Sequence, residues 1–155
     1  MTPLQPLVAL LAQTERQRDL ALADQIKMQG AHAAAQSQAD QLVAYRRDYE
    51  QRWSTQFCRE GRIELVRCYQ GFVERLTQAV DQQARNAQVA KAHLERATAV
   101  VREHELKLAA VRKVVEQRLA ESRRAGERVD QKQTDELAAR VAWSRRATRS
   151  PAKPA

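Results

Sequence analysis

The sequence predicts an all-α fold: two long helices in an antiparallel coiled-coil hairpin, the second helix longer than the first. Three observations carry that expectation. No proline occurs between Pro6 and Pro151, and proline costs about 3 kcal/mol inside a helix. Apolar residues recur every seventh position, at Val66, Val73, Val80, Ala87, Leu94, Val101, Leu108 and Val115, the pattern of a helix that packs along one seam. Aromatics make up 5% of the chain and there are only four glycines, which suits long helices better than a compact globule. At 155 residues the chain fits one domain, placed at residues 1–147 with a tail at 148–155.

The first helix is expected from about Leu4 to about Phe57. Its apolar positions begin with Leu4, Leu7, Val8, Leu11, Leu22 and Ile26. An alanine-rich middle follows at Ala31, Ala33, Ala34, Ala35 and Ala39, where thin side chains let a neighbour come close. Then Leu42, Tyr45, Tyr49, Trp53 and Phe57, spaced three and then four, keep to one helix face. The turn falls at 58–62, where Gly61 can take a positive φ and end a helix. Gly30, Gly71 and Gly126 stay helical, because the apolar period continues across them.

The second helix is expected from about Ile63 to about Arg146. Its companion seam positions are Tyr69, Leu76, Gln83, Ala90, Ala97, His104 and Val111. Gln83 and His104 are polar seam residues of the kind that fix register, and His104 is expected to keep its polar edge in water. After Val115 the heptad falters, with Arg118 on the seam and Leu119 displaced from it. Val129, Leu137, Val141 and Trp143 keep a helical period with a weaker seam. The tail Thr148–Ala155, with Pro151 and Pro154, is expected to be disordered.

A short connection folds the second helix back onto the first, so that position i faces roughly position 122 minus i. Leu4 then faces about Arg118, and the rest of the second helix has no partner within the chain. That overhang is about 25 residues, or about 38 Å at 1.5 Å per residue. A lone helix of that length is marginal in water and calls for a partner. At the turn end Phe72, Leu76, Ala79 and Gln83 form a second stripe beside the seam, at the same height as Leu42, Tyr45 and Tyr49. That apolar surface is wider than a seam needs, and a docking patch there is expected.

The net charge is +8, which allows nucleic acid, an anionic membrane surface or an acidic protein as partner. Basic residues crowd the C-terminal end, at Arg123, Arg124, Arg128, Lys132, Arg140, Arg145, Arg146 and Arg149. No apolar run approaches a membrane span, no signal peptide is visible, and the expected compartment is the cytoplasm. Cys58 and Cys68 are then reduced thiols near the turn. They form no CxxC pair, and His32, His93 and His104 lie far from them, so no metal site and no cofactor are expected. There is no GxxxxGK[ST] loop for a nucleotide and no catalytic constellation. The chain is expected not to be an enzyme.

Three blocks resemble the FliJ family, the soluble coiled-coil component of the bacterial flagellar type III export apparatus. They are Tyr45-Arg46-Arg47-Asp48-Tyr49 after Leu42; Tyr69-Gln70-Gly71-Phe72 followed by Leu76 and Ala79-Val80; and Arg128 to Ala138, ending in Arg140. The third is the most specific, since a generic coiled coil has no reason to carry Asp-Gln-Lys-x-x-Asp-Glu. The resemblance implies an antiparallel two-helix coiled coil, similar to a rotary ATPase stalk. It would insert into the hexameric export ATPase, bind the cytoplasmic domain of the export gate and handle export chaperones. It also implies flagellum biogenesis, motility and chemotaxis as the setting, with peripheral attachment to the inner membrane through the export apparatus.

By the same resemblance the gate-binding surface is Gln38, Leu42, Tyr45, Tyr49, Phe72, Leu76, Ala79 and Gln83; Gln83 departs from the histidine expected at that place. The ring-binding residues are Arg128, Val129, Asp130, Lys132, Asp135, Leu137, Arg140 and Val141. The free chain is expected to be a monomer that binds no nucleic acid. Three alternatives remain open: the equivalent stalk of a virulence injectisome, a basic coiled-coil nucleic-acid binder, and a homo-oligomeric structural rod. For the nucleic-acid binder the charge pattern is unfavourable. Interspersed Glu121, Glu127, Asp130, Asp135 and Glu136 argue against the second.

Overall fold

The computed structural model describes residues 4–56 and 62–149. Two long helices pack against each other: α1, Leu4–Gln56, and α2, Ile63–Thr148. No strand occurs among the described residues. Pro6 sits in the first turn of α1, where a missing N–H goes unused. Glu64 in the first turn of α2 and Arg145 and Arg146 in its last complement the helix dipole. The predicted end of the first helix at Phe57 and the predicted turn up to Gly61, with Cys58, lie outside the described residues, as does most of the tail; Thr148 belongs to α2.

The chain packs as two compact units. In the first, Thr14–Lys107, α1 and α2 run antiparallel. Gln25 bonds Thr98, Gln38 bonds Gln83, Tyr49 meets Phe72 and Trp53 stacks on Tyr69. Each pair lies within about one residue of the predicted register. The buried apolar residues of α2 here are Leu76, Val80, Ala87, Ala97 and Val101, all on the two predicted seam rows. Val66 is the exception, 40% exposed.

The α1 side of this seam is polar and thin. Its less exposed positions follow a three-four spacing through Thr14, Arg18, Ala21, Gln25, Met28, His32, Ala35, Ala39, Leu42, Arg46, Tyr49 and Trp53. Ile26 was expected among the packing residues, yet it is 68% exposed, because Gln25 takes the seam position beside it. Buried alanines allow close approach but remove little apolar area from water. Hydrogen bonds supply part of the specificity. Gln83 donates to the Ala35 carbonyl at 3.2 Å and to Gln38 Oε1 at 3.1 Å. Gln25 donates to Thr98 Oγ1 at 3.1 Å, and Thr98 in turn to the Leu94 carbonyl. His104 is half-buried, but its Nδ1 is buried with no hydrogen-bond partner among the described residues, so the expected solvation of its polar edge does not hold at that atom.

The second unit combines Met1–Gln13 with Leu108–Ala155. Leu108 and Val115 are buried, Leu108 to 2% exposure, and Val111, Leu4, Leu7 and Leu11 are half-buried. Val8 is 49% exposed: the three-four rhythm of Leu4, Leu7 and Leu11 turns it off the seam. Every described residue after Ala120 is exposed.

Candidate functional sites

The first site is an aromatic face on the 14–107 unit. The spacing of Tyr45, Tyr49 and Trp53 places three rings up one side of α1, and the antiparallel register brings Tyr69 and Phe72 of α2 against them. Tyr49 is the centre, with ring centroids 6.5 Å from Tyr45, 5.8 Å from Tyr69 and 4.5 Å from Phe72. Trp53 stacks on Tyr69 at 4.0 Å and 9°. Such pairs add about 0.5–1.5 kcal/mol each beyond area burial. The Tyr69 hydroxyl is held above its ordinary pKa, first by desolvation, then by the negative charges of Glu50 and ionised Tyr49. Sequence reasoning kept Trp53 in a stripe and Tyr69 in the seam without joining them to the patch; the signal was their shared height in the register.

The eight residues singled out for gate binding fall on this side of the unit. Gln38, Gln41, Leu42, Tyr45 and Gln83 line a shallow concavity of about 460 Å³. Tyr45 is 52% exposed, Gln38 and Ala79 are exposed, and Tyr49 and Phe72 are half-buried. Leu76, 7% exposed, lies beneath the face and supports it. Gln83 is half-buried, and its amide is engaged by Ala35, Gln38 and Asn86.

The second site is the exposed end of α2 in the other unit. Arg128, Val129, Asp130, Lys132, Asp135, Leu137, Arg140 and Val141 are all solvent-facing. The apolar members are well exposed: Val129 54%, Leu137 60%, Val141 50%, with Trp143 at 76%. They are spread around the helix. At about 100° per residue Val141 and Trp143 lie about 160° apart. From Leu137 to Arg149 the charges are Arg140, Arg145, Arg146 and Arg149, with no carboxylate.

Among the described residues no group of His, Cys, Asp and Glu is placed to hold a metal, and Cys68 is an exposed thiol. No described helix is long and apolar enough to cross a membrane. Two long helices packed against each other, with no strand among the described residues, define an all-helical, coiled-coil-like protein. Residues 1–147 match the model of the flagellar FliJ protein family, and the chain belongs to that family. Membership makes it a flagellar protein associated with export, in a family of structural export components. No curated protein and no solved structure matches it.

Proposed function

We propose that the chain is a non-enzymatic stalk of the flagellar type III export apparatus. The exposed end of α2 inserts into the central hole of the hexameric export ATPase, and the aromatic face docks on the cytoplasmic domain of the export gate. The chain also handles export chaperones, and it works in the cytoplasm at the inner-membrane export apparatus. The observation that carries this is the end of α2: a helix exposed at every described position after Ala120, with apolar side chains on opposite sides. A one-sided groove covers Val141 or Trp143 but not both, whereas a partner that surrounds the helix covers both. Its arginines suit an acidic lumen.

The test is a pull-down with the cognate ATPase and the gate domain, comparing the full chain with one ending at Arg118. The full chain is expected to retain both partners and the truncated chain the gate domain alone. ATPase retained by the truncated chain refutes the insertion role. Strong, salt-sensitive binding to DNA in place of either protein favours the nucleic-acid alternative.

A further inference from the structure

Two sets of hydrogen bonds cross the seam of the 14–107 unit, and the packing between them is thin. At one end Gln83 donates to the Ala35 carbonyl and to Gln38 Oε1. At the other Gln25 donates to Thr98 Oγ1. From residue 26 to residue 37 no position of α1 is buried; Met28, His32 and Ala35 are half-buried and the rest are exposed. Opposite them α2 offers buried Ala87 and half-buried Ala90, Ala92 and Leu94. Ile26 and Val89 leave their apolar side chains in water. Met28 and Leu94 are the long apolar residues that remain on the seam, and both stand at the Gln25–Thr98 end.

The seam is better filled on both sides of this stretch. Toward the aromatic face Leu76 and Val80 are buried, and Tyr49 and Trp53 pack on Phe72 and Tyr69. On the other side Ala21, Ala97 and Val101 are buried. Alanine removes less apolar area from water than leucine, valine or an aromatic ring, and local stability follows buried apolar contact. Gly30 lies inside the same stretch of α1. A Cβ there would meet nothing within 4 Å, so no contact calls for glycine, and the helix loses propensity at that point.

We propose that residues 28–35 with 87–94 form a waist at which the two helices part locally and the unit bends. The glutamine bonds at its two ends stop the parting from spreading and keep the register. The aromatic end thereby changes its inclination to the rest of the unit without dismantling its rings. This goes beyond the gate and ATPase surfaces, since the waist uses no residue of either.

The probe is maleimide labelling of a single seam thiol in the full chain. Ala87→Cys and Ala97→Cys are made separately, with Cys58 and Cys68 replaced by serine. The two alanines are 5% and 6% exposed, so a difference in rate reports opening rather than static exposure. Ala87→Cys is expected to react at least ten-fold faster, at a rate that stays flat in dilute urea, because a local opening exposes little surface. The rate of Ala97→Cys is expected to rise with urea, because its exposure takes the larger unfolding. Hydrogen exchange of the native chain reads the same opening without substitution. Helix segments this short do not hold their backbone bonds once freed. Amides of 28–35 and 87–94 are therefore expected to exchange at least ten-fold faster than those of 14–21, 42–49, 72–80 and 101–107. Equal labelling rates, equal urea slopes or uniform exchange protection overturns the proposal. All of these outcomes are independent of the pull-down with ATPase and gate.

Discussion

Tyr45→Ala separates a docking role for the aromatic face from a merely structural one. The ring is 52% exposed and meets Tyr49 at 6.5 Å. Removing it forfeits one aromatic pair, about 0.5–1.5 kcal/mol, and alanine returns about 0.5 kcal/mol of helix propensity. The buried half of the ring, about 100 Å² at about 25 cal/mol per Å², adds about 2–2.5 kcal/mol, so the fold loses about 2–3.5 kcal/mol. The exposed half of the ring offers about 100 Å² to a partner, worth about 2–2.5 kcal/mol if fully covered at about 25 cal/mol per Å². Affinity for the gate domain should then fall about 30- to 70-fold.

Tyr49→Ala removes more packing. That ring also packs on Phe72 at 4.5 Å and Tyr69 at 5.8 Å, so its loss is expected to destabilise the 14–107 unit by about 2–4 kcal/mol as well as weaken docking. Calorimetric titration with the gate domain, paired with thermal unfolding followed by circular dichroism, reads both quantities. If Tyr45→Ala is folded at the assay temperature and binds the gate domain within two-fold of the native chain, the aromatic face is not the docking surface.

Three further outcomes follow from the packing. Leu108→Ala is expected to cost about 2–3 kcal/mol, since the side chain is 2% exposed. Leu106→Ala, two residues away but 72% exposed, should cost under about 0.7 kcal/mol by the same area scaling; equal costs in denaturant titration would refute the seam assignment. His104→Leu removes a buried, unpartnered Nδ1 from the seam and should raise stability by about 1–2 kcal/mol, read as a higher Tm. Because the folded pKa of Tyr69 is raised, its contribution is fully present below the unfolded value of about 10 and is lost as pH climbs from there through the folded value. Unfolding scans across that alkaline range should show a shallower decline for Tyr69→Phe, and an identical decline would count against the shift.

The α2 seam was legible residue by residue from Val73 to Val115, because valine, leucine and alanine mark it at heptad spacing. The α1 seam was not, because Thr14, Arg18, Gln25, His32 and Arg46 occupy it and no apolar periodicity reports a polar row. Ile26 and Val8 misled for the same reason: hydrophobicity without the right phase is surface. The aromatic face was legible only in part. Family resemblance supplied its eight residues, while the burial of Leu76 and the joining of Trp53 and Tyr69 depend on the pairing of two helices.

Register explains why a polar seam is tolerated. A seam of alanine and glutamine stabilises weakly per residue, and buried alanines alone accept a slip of one heptad at little cost. The hydrogen bonds do not accept it. A slip of seven would face Gln83 with Ala31 or Tyr45 in place of Gln38, and Gln25 with Lys91 or Glu105 in place of Thr98; where Ala31 or Lys91 stands, a glutamine amide loses its side-chain acceptor, at about 1–3 kcal/mol for a buried one. The same slip would draw Tyr49 away from Phe72 and Tyr69 and take the aromatic face apart. Gln25 and Gln83 thus hold the alignment that assembles the aromatic face, a use of polar seam residues in coiled coils that trades stability for a single pairing.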